Sequence, residues 1–247
     1  MSKLFKNGHQ KAVDFCLDRF KGGRSTVIFT PNVEMLSESS SSIEISRLLD
    51  QADLLLPDGI GIYLSSLLHG ERIAERTNGI DFAERLLARA SQEQMSIFLL
   101  GARVGVAEKA AGNLCHRFKG LRIVGTHHGY FEKDGEKNQR VIEKINLSGA
   151  DILLVCFGFP VQERWIVENI SHLDSVKIAV GLGGSLDVWS EEVRRAPKIL
   201  RAVGLEWAFR IASSPKRIAR LPKILRFLPT IMLKGPSNIL KRDNIVR

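Results

Sequence analysis

The sequence predicts an α/β fold: a mostly parallel, Rossmann-like sheet with helices on both faces, followed by a basic helical C-terminal appendage. Three observations carry that expectation. Six short aliphatic or β-branched runs recur along the chain, helix-length amphipathic segments separate them, and positive charge gathers at one end. The runs are TVIF (Thr26 to Phe29), ADLLL (Ala52 to Leu56), SIFLL (Ser96 to Leu100), LRIV (Leu121 to Val124), DILLVCF (Asp151 to Phe157) and KIAV (Lys177 to Val180). Runs alternating with helices call for parallel strands joined by crossovers, covered on both sides. Segments such as GIDFAERLLARASQE and GVAEKAAGNLCHRF repeat apolar residues at helical spacing. The run SESSSS, Ser37 to Ser42, reads as a solvated loop or a helix start.

The chain has 247 residues, 44% of them hydrophobic, enough for one large core plus an appendage. The expected division is 1–193 for an α/β catalytic domain and 194–247 for the appendage. Charge supports that boundary. From Arg194 onward, 14 Lys and Arg face only Glu206 and Asp243, a net +12, which leaves −3 on the first 193 residues. A basic tail on a mildly acidic body asks for a polyanionic partner: anionic lipid, nucleic acid or a phosphorylated substrate. Cys16, Cys115 and Cys156 are odd in number and widely spaced, so neither a disulfide framework nor a CxxC metal site is expected. Charges run through the first fifteen residues, and no stretch approaches the roughly 18 apolar residues of a membrane span, so the expected location is the cytoplasm.

The segment after each run is more telling than the run itself. The strand ends are succeeded by TPN, PDG, GARVG, GTHHGYF, GFPVQE and GLGGSLD. In an open parallel sheet these loops share one edge, where ligands bind. Turn chemistry explains the glycines, but not the company of Thr30, Asn32, Asp58, Gln162, Glu163 and Asp187. Asp58 alone has two readings: a helix N-cap before Ile60 to Leu68, or a carboxylate facing the crevice that acts as a base. Tyr130 and Phe131 could stack on a nucleobase or belong to the core, and His127 and His128 lack a partner at metal spacing. GARVGVAEKAAG is not GxGxxG, which argues against a nicotinamide enzyme, and no DxD pair is present to hold a divalent metal.

TPNVEML, LLPDGIGI, ERTNGIDF, FLLGARVGVAEKAA, IVGTHHGYF, LVCFGFPVQERWI, VGLGGSLDV, RRAPKIL and GLEWAFRIASSPKRIARL keep the order and spacing of one family. Together they resemble the WecG/TagA/CpsF family of bacterial glycosyltransferases, from about Thr26 to about Leu221. The resemblance implies transfer of a sugar from a UDP-sugar to a polyprenyl-diphosphate-linked sugar, in cell-surface polysaccharide synthesis at the inner face of the plasma membrane. N-acetylmannosamine, its uronic acid and glucose are the family's donor sugars. It further implies Asp58 as base and Arg76 as the crevice arginine. Arg210, Arg217 and Arg220 then serve the departing diphosphate in place of a metal, since guanidinium groups give permanent bidentate contacts to phosphate. Thr30, Asn32, Gly101, Tyr130, Gln162, Glu163, Gly184 and Asp187 are the remaining substrate-binding candidates, and neither a cofactor nor a metal is implied. A homo-oligomer is left open.

Two departures stand out. Val161 replaces the basic residue of the family's PKQE, and WSEEVRRAP replaces a glycine-containing turn. Without the resemblance, Arg76 would read as a surface ion pair and the tail arginines as a solvated helix face. The tail mixes cations with Ile218, Leu221, Ile224, Leu225, Leu228, Ile231, Met232 and Leu233, as an interfacial amphipathic element does. Prolines 215, 222, 229 and 236 recur every seven residues, and the expected consequence is short helices separated by bends. Packing of the tail on its own domain is the other reading, credited less beyond Pro222. A nucleic-acid-binding module with a basic arm is the alternative function; it rests on charge alone, without interleaved aromatics for base stacking.

Overall fold

A computed structural model describes residues 4–76, 78–212 and 221–240. Six parallel strands form one sheet in the order β2-β1-β6-β5-β3-β4. They are β1 (Thr26–Phe29), β2 (Leu54–Leu55), β3 (Ser96–Gly101), β4 (Arg122–His127), β5 (Ile152–Cys156) and β6 (Ile178–Gly181). Each run singled out in the sequence contains one of them or most of one, except LRIV, which holds the first half of β4. Side chains alternate between the two faces, as the pleat requires. Ile28, Ile97, Leu99, Ile152, Leu154, Ile178 and Val180 point to one side, against α1 (Gly8–Lys21), α5 (Gly79–Gln92), α6 (Val106–Arg117) and α9 (Ser185–Trp189). Val27, Phe29, Phe98, Leu100, Leu153, Val155 and Ala179 point to the other, against α2 (Val33–Ser41), α3 (Ile43–Leu49), α7 (Gly135–Ser148) and α8 (Val161–Asn169).

Two strands differ in length from the sequence runs. β2 is only two residues long because Pro57 follows it and the Asp53 carboxylate, rather than a ladder carbonyl, accepts the Val27 N–H at 2.9 Å. β4 runs on through Gly125, Thr126 and His127, which pair with Phe98 to Leu100 after a register shift. The serine run is helical and only partly solvated: Ser37 to Ser41 lie in α2, where Ser41 is exposed but Ser39 is buried and its hydroxyl donates back to the Leu36 carbonyl at 3.0 Å. Ser42 caps α3.

Past β6 the chain folds back over the strand ends. Arg195 pairs with Asp81, Glu84 and Glu206, and Asn78 donates to Glu206 at 2.7 Å. These contacts hold α10 (Lys198–Ala202) and α11 (Glu206–Ala212) against the start of α5. The tail then differs from the sequence expectation. Leu221–Lys234 is one 14-residue helix with Pro222 and Pro229 both inside it. Pro222 sits in the first turn, where its missing N–H has no intrahelical partner, and Pro229 lies on the exposed side. The next short helix starts at Pro236, the favoured first position. Phe227 and Ile231 are buried against Leu36, Ile62 and Ile73, so this helix does pack on its own domain, over α2 and α4 (Ile60–Leu68). Ser65 donates to the Ile231 carbonyl and His69 pairs with that of Leu233, which fixes its height on α4.

Candidate active site

All six strand-end loops contribute to one cleft of about 800 Å3. From the sequence candidates the structure brings Thr30, Asn32, Asp58, Arg76, Tyr130, Gln162, Gly184 and Asp187 to its wall. Asn32 is the N-cap of α2, its carboxamide oxygen accepting the Met35 N–H at 3.0 Å. The Thr30 hydroxyl donates to the Gly181 carbonyl at 3.3 Å, tying the end of β1 to that of β6. The backbone N–H of Asp58 bonds Pro31 at 2.8 Å, and Gly59 turns away with φ +94°, so the carboxylate stands where the first two loops meet. The N-cap position of α4 falls on Gly59, with no side-chain cap bond. The Arg76 guanidinium donates to the carbonyls of Ala202 (3.1 Å) and Arg201, at the C-terminal end of α10.

Gly101 and Glu163 lie off the wall. Gly101 is a packing glycine: a Cβ there would stand 2.4 Å from the Cys156 carbonyl oxygen. Glu163 is fully buried behind Gln162. Arg210 lies in α11, while Arg217 and Arg220 lie outside the described residues.

The cleft also contains groups that the sequence patterns did not single out: Arg103, Arg201, Asn78, Glu206, Trp207 and Lys133. Lys133 is the most unusual of these. Its ammonium sits 3.6 Å from the Phe131 ring centroid and 4.2 Å from that of Phe157, and donates to the carbonyls of Gly129 and Phe131 at 2.6 and 2.9 Å. Desolvation lowers its pKa to about 8. The lysine thereby closes the loop that holds Tyr130 out into the cleft, 73% exposed, while Phe131 turns inward onto Phe157. Phe131 thus belongs to the core, whereas Tyr130 does not.

The arrangement joins a carboxylate at a strand end to several cations and an exposed aromatic ring, a set suited to a nucleoside diphosphate beside an acceptor hydroxyl. Sequence comparison gives this cleft its context. Residues 4–238 match the glycosyl transferase WecG/TagA/CpsF family. The chain belongs to this family. It is 34% identical over 216 residues to the N-acetylglucosaminyldiphosphoundecaprenol N-acetyl-beta-D-mannosaminyltransferase of Bacillus spizizenii, covering 87% of this chain and 81% of that one. Proteins of the same name from Staphylococcus aureus and Bacillus subtilis are 33% and 31% identical, over 81% and 83% of this chain and 77% and 78% of theirs. The protein is therefore a glycosyltransferase.

Both departures from the family pattern touch the cleft or its border. Val161, the first residue of α8, is 45% exposed on the wall. In the WSEE segment Glu191 takes φ +63°, a backbone region that suits glycine, and Glu192 pairs with Arg103 and Lys109.

Glu163 gives the molecule a pH signature. Burial raises its pKa to about 7, against the opposing bond from Gln162. The folded state therefore holds this proton more tightly than the unfolded chain, so the associated stability is fully present below pH 4.5 and lost as pH rises through 7. The shift corresponds to about 3 kcal/mol between pH 4 and pH 8. Urea denaturation across that range should show the decline, and Glu163→Gln should flatten it; an equally steep profile in the variant would refute the assignment.

Proposed function

We propose that the protein transfers a sugar from a UDP-sugar to a polyprenyl-diphosphate-linked sugar by a metal-independent, inverting displacement, in cell-surface polysaccharide synthesis. The observation that carries this reading is the convergence of all six strand-end loops, Asp58 and several cations on one cleft, in a chain whose relatives are named for such an acceptor. Their common name favours N-acetylmannosamine as donor sugar and N-acetylglucosaminyl-diphosphoundecaprenol as acceptor.

In this mechanism Asp58 takes the proton of the acceptor hydroxyl as that oxygen attacks the anomeric carbon from the face opposite the nucleotide. The bond from that carbon to the diphosphate oxygen breaks, UDP leaves, and the configuration inverts. Arg76, Arg103, Lys133 and Arg201 are the cleft cations available to the departing charge, with Arg210, Arg217 and Arg220 as the tail's proposed contribution. Tyr130 offers a face to the uracil ring.

The lipid acceptor gives the exposed apolar side chains a reason. Leu64, Leu67 and Leu68 share one face of α4, and Leu233, 80% exposed, stands beside its end with Arg226 and Lys234 on the same outer side of its own helix. No helix among the described residues is long and apolar enough to cross a membrane. A peripheral seat on the anionic inner face of the plasma membrane accounts for exposed leucines accompanied by Arg226 and Lys234.

A panel of UDP-sugars incubated with N-acetylglucosaminyl-diphospho-lipid, in excess EDTA, tests the proposal. Transfer from UDP-N-acetylmannosamine with inversion is the expected result. Absence of transfer from every UDP-sugar would refute it, and strict recovery on adding magnesium or manganese would refute the metal-independent step.

A further inference from the structure

Gln162 lines the cleft, yet its amide is engaged inside the protein. Its oxygen accepts two backbone N–H groups, from Gly158 at 3.2 Å and Gly183 at 2.8 Å. These belong to the turns after β5 and β6, and both turns line the cleft. One carboxamide oxygen thus cross-links two loops that no ladder bond joins at that height. An amide can do this only in one of its two orientations; rotated by half a turn, it would aim N–H at N–H.

Glu163 selects the orientation. The Gln162 Nε2 donates to Glu163 Oε1 at 2.8 Å, while Glu163 Oε2 is buried without a hydrogen-bond partner among the described residues. A carboxyl with 0% exposure and one oxygen unsatisfied is costly to keep, and an apolar residue would serve α8 better if packing were its only task. The side-chain contact it makes is to the cross-linking amide.

We propose that Glu163 is a positioning residue: from behind the cleft wall it locks the Gln162 amide, and through it the spacing of the Gly158 and Gly183 turns against which the donor lies. The catalytic consequence rests on the transferase reading above; the latch itself does not. The lock needs an acceptor oxygen and not a charge. Glu163→Gln preserves an oxygen in place, Glu163→Met removes it at similar volume, and Gln162→Met cuts the same link from the other end.

Amide hydrogen exchange, followed by NMR at Gly158 and Gly183, reads the latch directly, and donor kinetics read its effect. In Glu163→Met, protection at both amides should fall about tenfold or more and kcat/KM for the donor should fall about 10- to 100-fold, as a loosened wall misplaces the sugar. Glu163→Gln should recover most of both. In the Gln162→Met background, adding Glu163→Met should change either readout by less than about twofold. The proposal is overturned if Glu163→Met leaves the two amides protected, if Glu163→Gln is as damaging as Glu163→Met, or if the two Met substitutions act additively. Should Glu163→Met not fold, Gln162→Met alone must show the same loss of protection at both glycines, and intact protection there overturns the proposal. Loss of protection in a protein whose parent transfers no sugar would uphold the latch and sink the transferase reading instead.

Discussion

Asp58→Asn is expected to lower turnover by about two to four orders of magnitude while leaving the fold and UDP binding in place. The geometry makes this a clean substitution. The turn that presents the side chain is set by the backbone bond from Asp58 to Pro31 and by the positive φ of Gly59, neither of which depends on the carboxylate. Asn has nearly the same shape and lacks the basicity. A purely structural role at the start of α4 predicts the reverse pattern: lost stability with turnover kept. Because the N-cap position falls on Gly59 and Asn keeps the size and one acceptor oxygen of Asp, stability should change by less than about 1 kcal/mol. Single-turnover rates with saturating donor, and thermal stabilisation by UDP, measure the two sides separately. Near-normal turnover in the variant would remove Asp58 from the mechanism.

How far such a site can be read from sequence depends on which signal each part carries. The strands were legible because a sheet covered on both faces makes them near-continuous apolar runs, as in ILLVC of β5, buried at every position. Most of the cleft wall was legible too, because residues just past such runs are brought to one edge by topology alone. Lys133 was not legible: a lysine two residues past Phe131 looks like any solvated cation until Phe157, from a different loop, is seen to complete its cage. Nor was the division of labour between Gln162 and Glu163. Adjacent polar residues after a strand look like two ligand contacts, whereas α8 turns one toward the cleft and the other into the core. The packing of the tail helix on α2 and α4 was not legible for a related reason. An amphipathic pattern states that a helix has an apolar face, and the same pattern serves a protein surface or a membrane.

The helix Leu221–Lys234 separates those two uses by face, which yields the second large effect. Its inner residues, Phe227 and Ile231, close over Leu36, Ile62 and Ile73. The underlying helices α2 and α4 begin directly after the loops that carry Asn32 and Asp58. Phe227→Ala or Ile231→Ala should therefore cost about 3 kcal/mol each and reduce transfer even to a soluble short-chain acceptor, because the floor under both loops loosens. Its outer face carries Arg226, Leu233 and Lys234, and Leu233 stands by the end of α4, where Leu68 is exposed. Replacing these four by Glu should leave stability within about 0.5 kcal/mol per site and spare the soluble-acceptor reaction. Binding to anionic vesicles should fall, by about 1 kcal/mol for each cation removed, with a weaker salt dependence. A chain ending near Pro222 mixes the effects, since it strips the outer cations and uncovers the apolar floor together; it should lose stability, vesicle binding and transfer at once. Ending near Val193 also removes Arg195, which faces Asp81, Glu84 and Glu206. Urea denaturation, vesicle sedimentation at two salt concentrations and the soluble-acceptor assay distinguish the faces. Unchanged stability in Phe227→Ala would show that the helix does not support the site. Full vesicle binding by the outer-face variant would place the membrane contact elsewhere on the chain.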